Sequence, residues 1–128
     1  MNKVVLDASA ILAILNSEPG AEKLTVEILA NAAASTVNLA EVQGKLVREG
    51  IEPKDAWELA QSPVREFFPF TTAAARTAGD LTLKTSGFGL SLGDRACLSL
   101  AMELGAPVYT ADRAWKNLKL GIRVHVLR

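Results

Sequence analysis

Short aliphatic runs alternate with helix-forming segments along this chain, and no other feature limits its fold so strongly. Residues 3–6 are mostly β-branched and aliphatic without alternation, which predicts a strand buried on both faces. Asp7 ends it. Residues 8–15 then read as a helix, stopped by Asn16-Ser17-Glu18-Pro19-Gly20. A second helix is expected over 21–33, where Ala21, Leu24, Ile28, Leu29 and Ala32 keep one stripe apolar. Ser35-Thr36-Val37 is expected as the next strand, and residues 38–49 as a helix closed by Gly50. Pro53 opens a helix through Gln61. The proline within Phe67-Phe68-Pro69-Phe70 removes a ladder donor and predicts an edge strand. Helices are expected over 71–85 and 92–104, with a turn at Gly87 and Gly89 between them, and the second carries Cys97 on its apolar face. Gly105 ends it, and a strand over 107–110, a short helix over 113–118 and a strand over 123–127 complete the chain.

Strand and helix in alternation predict an α/β domain, with a mainly parallel sheet, right-handed crossovers and helices on both faces. The length, 128 residues, suits one domain. Apolar residues make up 49% and charged residues 22%, which excludes disordered and collagen-like chains. One cysteine and one histidine, His125, cannot build a disulfide, a Cys/His zinc cluster or a two-histidine acid–base pair, so any metal must be held mainly by carboxylates. Asp7 cuts the opening apolar run too early for a signal peptide. The longest uncharged stretch, residues 28–40, is 13 residues, against the ~20 a membrane helix needs. A soluble, cytoplasmic protein is expected.

The net charge of zero hides an asymmetry. Through Glu66 there are ten acids and six bases, and beyond it four acids and eight bases. From Arg113 onward there are five bases and no acid, which would suit a polyanion or simply a solvated face.

Four acids fall where such a sheet would bind ligands, outside the carboxyl ends of its strands. Asp7 follows the first strand and Asp112 the fourth, while Glu41 and Asp94 are expected in the first turns of helices starting at that edge. Each acid alone is equally well explained as a helix cap, and Asn38-x-x-Glu41 and Ser91-x-x-Asp94 have capping-box spacing. Capping does not require a carboxylate at all four starts on one edge. Clustered negative charges call for a hard divalent cation with oxygen ligands.

The segments Val4-Val5-Leu6-Asp7-Ala8-Ser9, Val37-Asn38-Leu39-Ala40-Glu41-Val42, Leu90-Ser91-Leu92-Gly93-Asp94-Arg95-Ala96 and Val108-Tyr109-Thr110-Ala111-Asp112-Arg113, in that order, resemble the PIN domain. More narrowly they resemble the VapC-type toxins of prokaryotic toxin–antitoxin pairs, which are metal-dependent ribonucleases. The resemblance spans nearly the whole chain and implies that Asp7, Glu41, Asp94 and Asp112 form the metal-binding and catalytic set. It implies supporting roles for Ser9, Asn38 and Thr110, although Ser9 and Asn38 could equally cap helices and Thr110 be an ordinary strand residue. Many relatives carry a further acid where this chain has Ala114, so a second metal would lack that ligand.

The function expected is therefore a Mg²⁺- or Mn²⁺-dependent endoribonuclease that hydrolyses RNA with metal-activated water, Asp7 and Asp94 being the central ligands. Arg95, Arg113 and Lys116 adjoin site acids and could contact phosphate, or serve as surface cations. The resemblance further implies a VapB-like antitoxin partner and a homodimer. Trp57, Phe67 and Phe68 could be partner contacts or core. Two rivals stand: a catalytically inactive interaction module on the same fold, and a phosphoacceptor receiver domain. The receiver fits poorly, because Leu6 replaces an acidic neighbour of Asp7 and Phe70-Thr71-Thr72 holds no acceptor aspartate.

Overall fold

The computed structural model describes residues 2–128; Met1, at the head of the opening apolar run, lies outside them. Five parallel strands form one sheet: β1 (Val4–Leu6), β2 (Ala32–Ser35), β3 (Glu66–Phe68), β4 (Val108–Thr110) and β5 (Val124–Val126). Their spatial order is β3-β2-β1-β4-β5, so β3 is an edge strand as expected, but it ends at Phe68, before Pro69, instead of running through the proline to Phe70. The order also excludes the receiver architecture, in which the third strand lies inside the sheet. The chain winds outward from β1 to β2 and β3, then returns to the other side of β1 for β4 and β5. The crevice between β1 and β4 is the switch point of such a sheet.

Successive residues of β1 serve different cores. Leu6 joins Ile11, Ala34, Leu39, Val42 and Leu46 on one face, beneath helices α1 (Ala8–Leu15), α3 (Thr36–Arg48) and α4 (Pro53–Gln61). Val5 joins Leu81, Cys97, Leu98, Val108 and Trp115 on the other, beneath α5 (Thr72–Lys84) and α6 (Leu92–Leu104). Each fully buried Leu or Ile contributes roughly 1.5–3 kcal/mol of transfer free energy. Helix ends follow the local chemistry: Asp7 caps α1 through Ala10 N–H at 2.8 Å, and Ser91 and Asp94 form a reciprocal capping box on α6. Gly105 leaves α6 at φ 60°, a left-handed position that favours glycine.

One stretch departs from the sequence expectation. Residues 21–33 are not one helix but a 3-10 turn (Ala21–Lys23), a single-turn helix α2 (Val26–Leu29) and the start of β2. Alanine favours helix by intrinsic propensity, yet Ala32, Ala33 and Ala34 are buried in a sheet whose neighbours cover both faces. The second strand consequently ends at Ser35, and Thr36 and Val37, expected in it, begin α3, with Ser35 accepting from Val37 N–H at 3.1 Å. Among the described residues no helix is long and apolar enough to cross a membrane.

Candidate metal centre

Asp7 leaves the carboxyl end of β1 and is only 3% exposed. Its Oδ1 accepts from Ser9 Oγ at 2.7 Å and Ala10 N–H at 2.8 Å, and its Oδ2 accepts from Thr110 Oγ1 at 2.6 Å. Burial pushes its carboxyl up to about 6. The bonds from Thr110, Ser9 and Ala10 pull it down without offsetting burial, and the charge of Asp94 adds to the rise.

Ser9 and Thr110 stitch the switch point together and do not cap helices. Ser9 Oγ accepts from Ala111 N–H at 2.8 Å, Thr110 Oγ1 accepts from Asp112 N–H at 3.0 Å, and the two hydroxyls lie 3.3 Å apart. The carboxylate after β1 is thus bonded directly to the residue that ends β4, and Asp112 is tied by its backbone to the same hydroxyl.

Because α3 starts two residues before the expected position, Glu41 stands in its second turn and Asn38 in its first, and neither caps it. Asn38, 1% exposed, donates from Nδ2 to Glu41 Oε1 at 2.8 Å and to the carbonyl of Gly93 at 3.1 Å. These two acceptors fix the amide orientation, and Asn38 Oδ1 is left buried without a partner. The Glu41 carboxylate lies where a side chain on Gly93 would begin, so a Cβ there would collide with both of its oxygens. Gly93 was missed in the sequence. Its signal is a glycine inside the first turn of a strongly patterned helix, a local cost that implies close approach of another group.

Asp94 is half-buried; its Oδ2 accepts from Ser91 N–H at 2.9 Å and its Oδ1 has no hydrogen bond. One turn further along α6, burial raises the Cys97 thiol, and the charges of Asp7, Asp94 and Glu41 raise it further. Those three acids, one following β1 and the others on α3 and α6, thus all act on the buried thiol, and Glu41 abuts Gly93, the neighbour of Asp94. Asp112 is exposed and its Oδ1 accepts from Ala114 N–H at 2.9 Å.

None of the four carboxylates has a salt-bridge partner among the described residues. Arg95, read as a phosphate contact or a surface cation, donates to Ala78 O at 3.0 Å and Thr82 Oγ1 at 3.1 Å, fastening α6 to α5. Phe67 and Phe68 pack against the two cores, whereas Trp57 on α4 is 43% exposed.

The donors are all hard oxygens, with one oxygen of Glu41, Asp94 and Asp112 free of hydrogen bonds. No three of them, nor any other trio of His, Cys, Asp and Glu among the described residues, closes on a common ion position. Oxygen donors of this kind suit a hard divalent cation that keeps part of its water shell.

A PIN domain family model matches residues 4–120. No curated protein sequence matches the chain. Solved structures do. The DNA-bound VapBC from Salmonella typhimurium superposes with TM-score 0.78 at 18% identity, covering 100% of both chains. VapBC2 from Rickettsia felis, bound to a DNA fragment from its promoter, gives 0.75 at 18% identity over 98% of each chain. VapC20 from Mycobacterium tuberculosis, a toxin that cleaves the sarcin–ricin loop, gives 0.71 at 18% identity over 94% of this chain and 99% of that one. At such identities the likeness speaks for the fold, and the family match over most of the length, on a sheet whose switch point gathers three unpaired acids, gives the assignment: this chain belongs to the PIN domain family.

Proposed function

We propose that this chain is a metal-dependent endoribonuclease, the toxin component of a VapBC-like toxin–antitoxin pair, with residues 1–128 forming one nuclease domain. The observation that carries the reading is the cluster of Asp7, Glu41 and Asp94 at the switch point, without a cationic partner. Uncompensated charge of this kind is costly and is relieved by a divalent cation. Asp7 and Asp94 would be its central ligands, with Glu41 and Asp112 completing the acidic edge. When bound, Mg²⁺ or Mn²⁺ supplies a Lewis acid that activates water and offsets charge on the scissile phosphate.

The chain's own residues prepare that site. Thr110 and Ser9 hold the Asp7 carboxylate in one orientation, and Asn38 holds Glu41 against Gly93. A neighbouring antitoxin, a homodimeric assembly and a cytoplasmic location belong to the same reading. The lone histidine lies on β5 and leaves a two-histidine attack by the 2′-hydroxyl without its machinery.

The test is cleavage of labelled RNA with Mg²⁺ or Mn²⁺ and with EDTA, followed by end-group analysis. Metal-dependent cuts bearing 5′-phosphate and 3′-hydroxyl, lost in Asp94→Asn, are expected; 2′,3′-cyclic phosphate would reject the mechanism. The rival reading is a catalytically inactive interaction module on the same fold. Absence of saturable Mn²⁺ binding at millimolar concentration would put that reading first.

A further inference from the structure

Over β4 and β5 a cavity of about 700 Å³ opens, lined also by Lys23 and by Arg113 and Lys116 of the 3-10 turn that follows β4. Its floor is aromatic. Tyr109 and His125 are register partners on β4 and β5, and their rings stack with centroids 4.6 Å apart and planes at 21°. Its rim is cationic: Lys23, Arg113, Lys116 and Arg128 line it, and no acid does. Arg128 is neutralised by Glu18 at 2.8 Å, but the side chains of Lys23 and Lys116 make no ion pair or hydrogen bond among the described residues, and Arg113 spends only its Nε, on the Arg128 carbonyl. Three cations around a stacked ring pair thus have no anionic partner among the described residues. Arg113 directly follows Asp112, so the rim adjoins the acidic edge in the chain.

An apolar ligand would not need the cations, and a simple anion would not need the rings. A flat ring joined to phosphates uses both, since bases stack on aromatic side chains while Lys and Arg track the backbone. We propose that the Tyr109–His125 pair and its rim of Lys23, Lys116 and Arg113 form a binding subsite for an unpaired nucleotide of single-stranded RNA flanking the cut. The inference rests on the ribonuclease reading for the identity of the ligand. The subsite holds substrate and takes no part in the chemistry.

Binding is measured in EDTA, where no cutting occurs, by anisotropy of fluorescein-labelled octauridylate. Lys23→Ala/Lys116→Ala should weaken binding at least about tenfold and lower the slope of log K against log salt by about 1.4, the share of two phosphates on a single strand. His125→Ala should weaken it about tenfold through lost stacking, and the ring protons of this sole histidine should shift in the NMR spectrum when octauridylate is added. Mn²⁺ binding by the lysine double variant should be unchanged, which shows an intact fold and acidic site.

If the lysine and histidine variants bind RNA as wild type does and the His125 signals stay put, the subsite is wrong while the ribonuclease reading is untouched. RNA held at Tyr109 and His125 but never cut with Mn²⁺ would leave the subsite standing and remove the nuclease. If the wild type ignores octauridylate yet takes a hexaglutamate peptide through Lys23 and Lys116, the cavity receives an acidic protein tail and the proposal is overturned.

Discussion

Replacing Asp7 by asparagine should stabilise the protein at neutral pH in EDTA, although it removes a buried, fully hydrogen-bonded residue. Burial raises the Asp7 carboxyl from 3.8 to about 6, against the bonds from Thr110, Ser9 and Ala10. A carboxyl raised in the folded state keeps its proton longer there than in the unfolded chain. Stability is therefore full below about pH 4, falls as pH rises toward 6, and stays reduced above it. At about 1.36 kcal/mol per unit, the cost at neutral pH is about 3 kcal/mol. Asparagine resembles the protonated acid: its oxygen can accept from Ser9 and Ala10, and its amide can donate to Thr110. Urea denaturation between pH 4 and 8 in EDTA should show the two proteins within about 1 kcal/mol at pH 4. At pH 7.5 the variant should gain roughly 1 to 2 M in midpoint. Added Mn²⁺ should raise the wild-type midpoint and leave the variant behind. A variant less stable than wild type at pH 7.5 in EDTA, or a gap that does not change with pH, would refute the assignment of strain to the Asp7 charge.

Gly93→Ala should keep the fold, within about 1 kcal/mol, because the atom its Cβ meets is the movable end of Glu41. Metal binding should nevertheless weaken, and unchanged Mn²⁺ affinity would show that the place of Glu41 does not matter. Gly20→Ala should behave oppositely: φ is 93° and the new Cβ meets the backbone carbonyl of Leu127, so a loss above about 2 kcal/mol is expected in denaturation. Cys97, wholly buried with its thiol raised, should react with a thiol reagent at pH 8 at least about a hundredfold more slowly than in urea. Rapid stoichiometric labelling of the native protein would contradict its burial.

Helices α1, α4 and α6 begin and end where the sequence places them, because a cap, a proline at the first position or a glycine at the end marks each boundary. The strand β2 was hidden because Ala32, Ala33 and Ala34 carry helical propensity and reveal themselves as strand only through neighbours supplied by β1 and β3. That local error displaced α3 and made Glu41 look like a capping residue, a reading its actual turn excludes. The acids were legible as a set from their order. Their unequal roles were not, since Asp112 faces its own 3-10 turn and Asp7 is buried by residues a hundred positions away. The Tyr109–His125 pair depends on a strand register that no periodicity encodes.

The stitch between Asp7 and Thr110 spans 103 residues, and that between Ser9 and Ala111 spans 102. During synthesis the first strand therefore waits at the centre of an incomplete sheet, its acid exposed to water and without the hydroxyl that orients it, until β4 has been made. At about 5 to 20 residues per second that interval lasts roughly 5 to 20 seconds. The acidic edge at the switch point is thus among the last features of the fold to be completed, assembled only when nearly the whole chain is available.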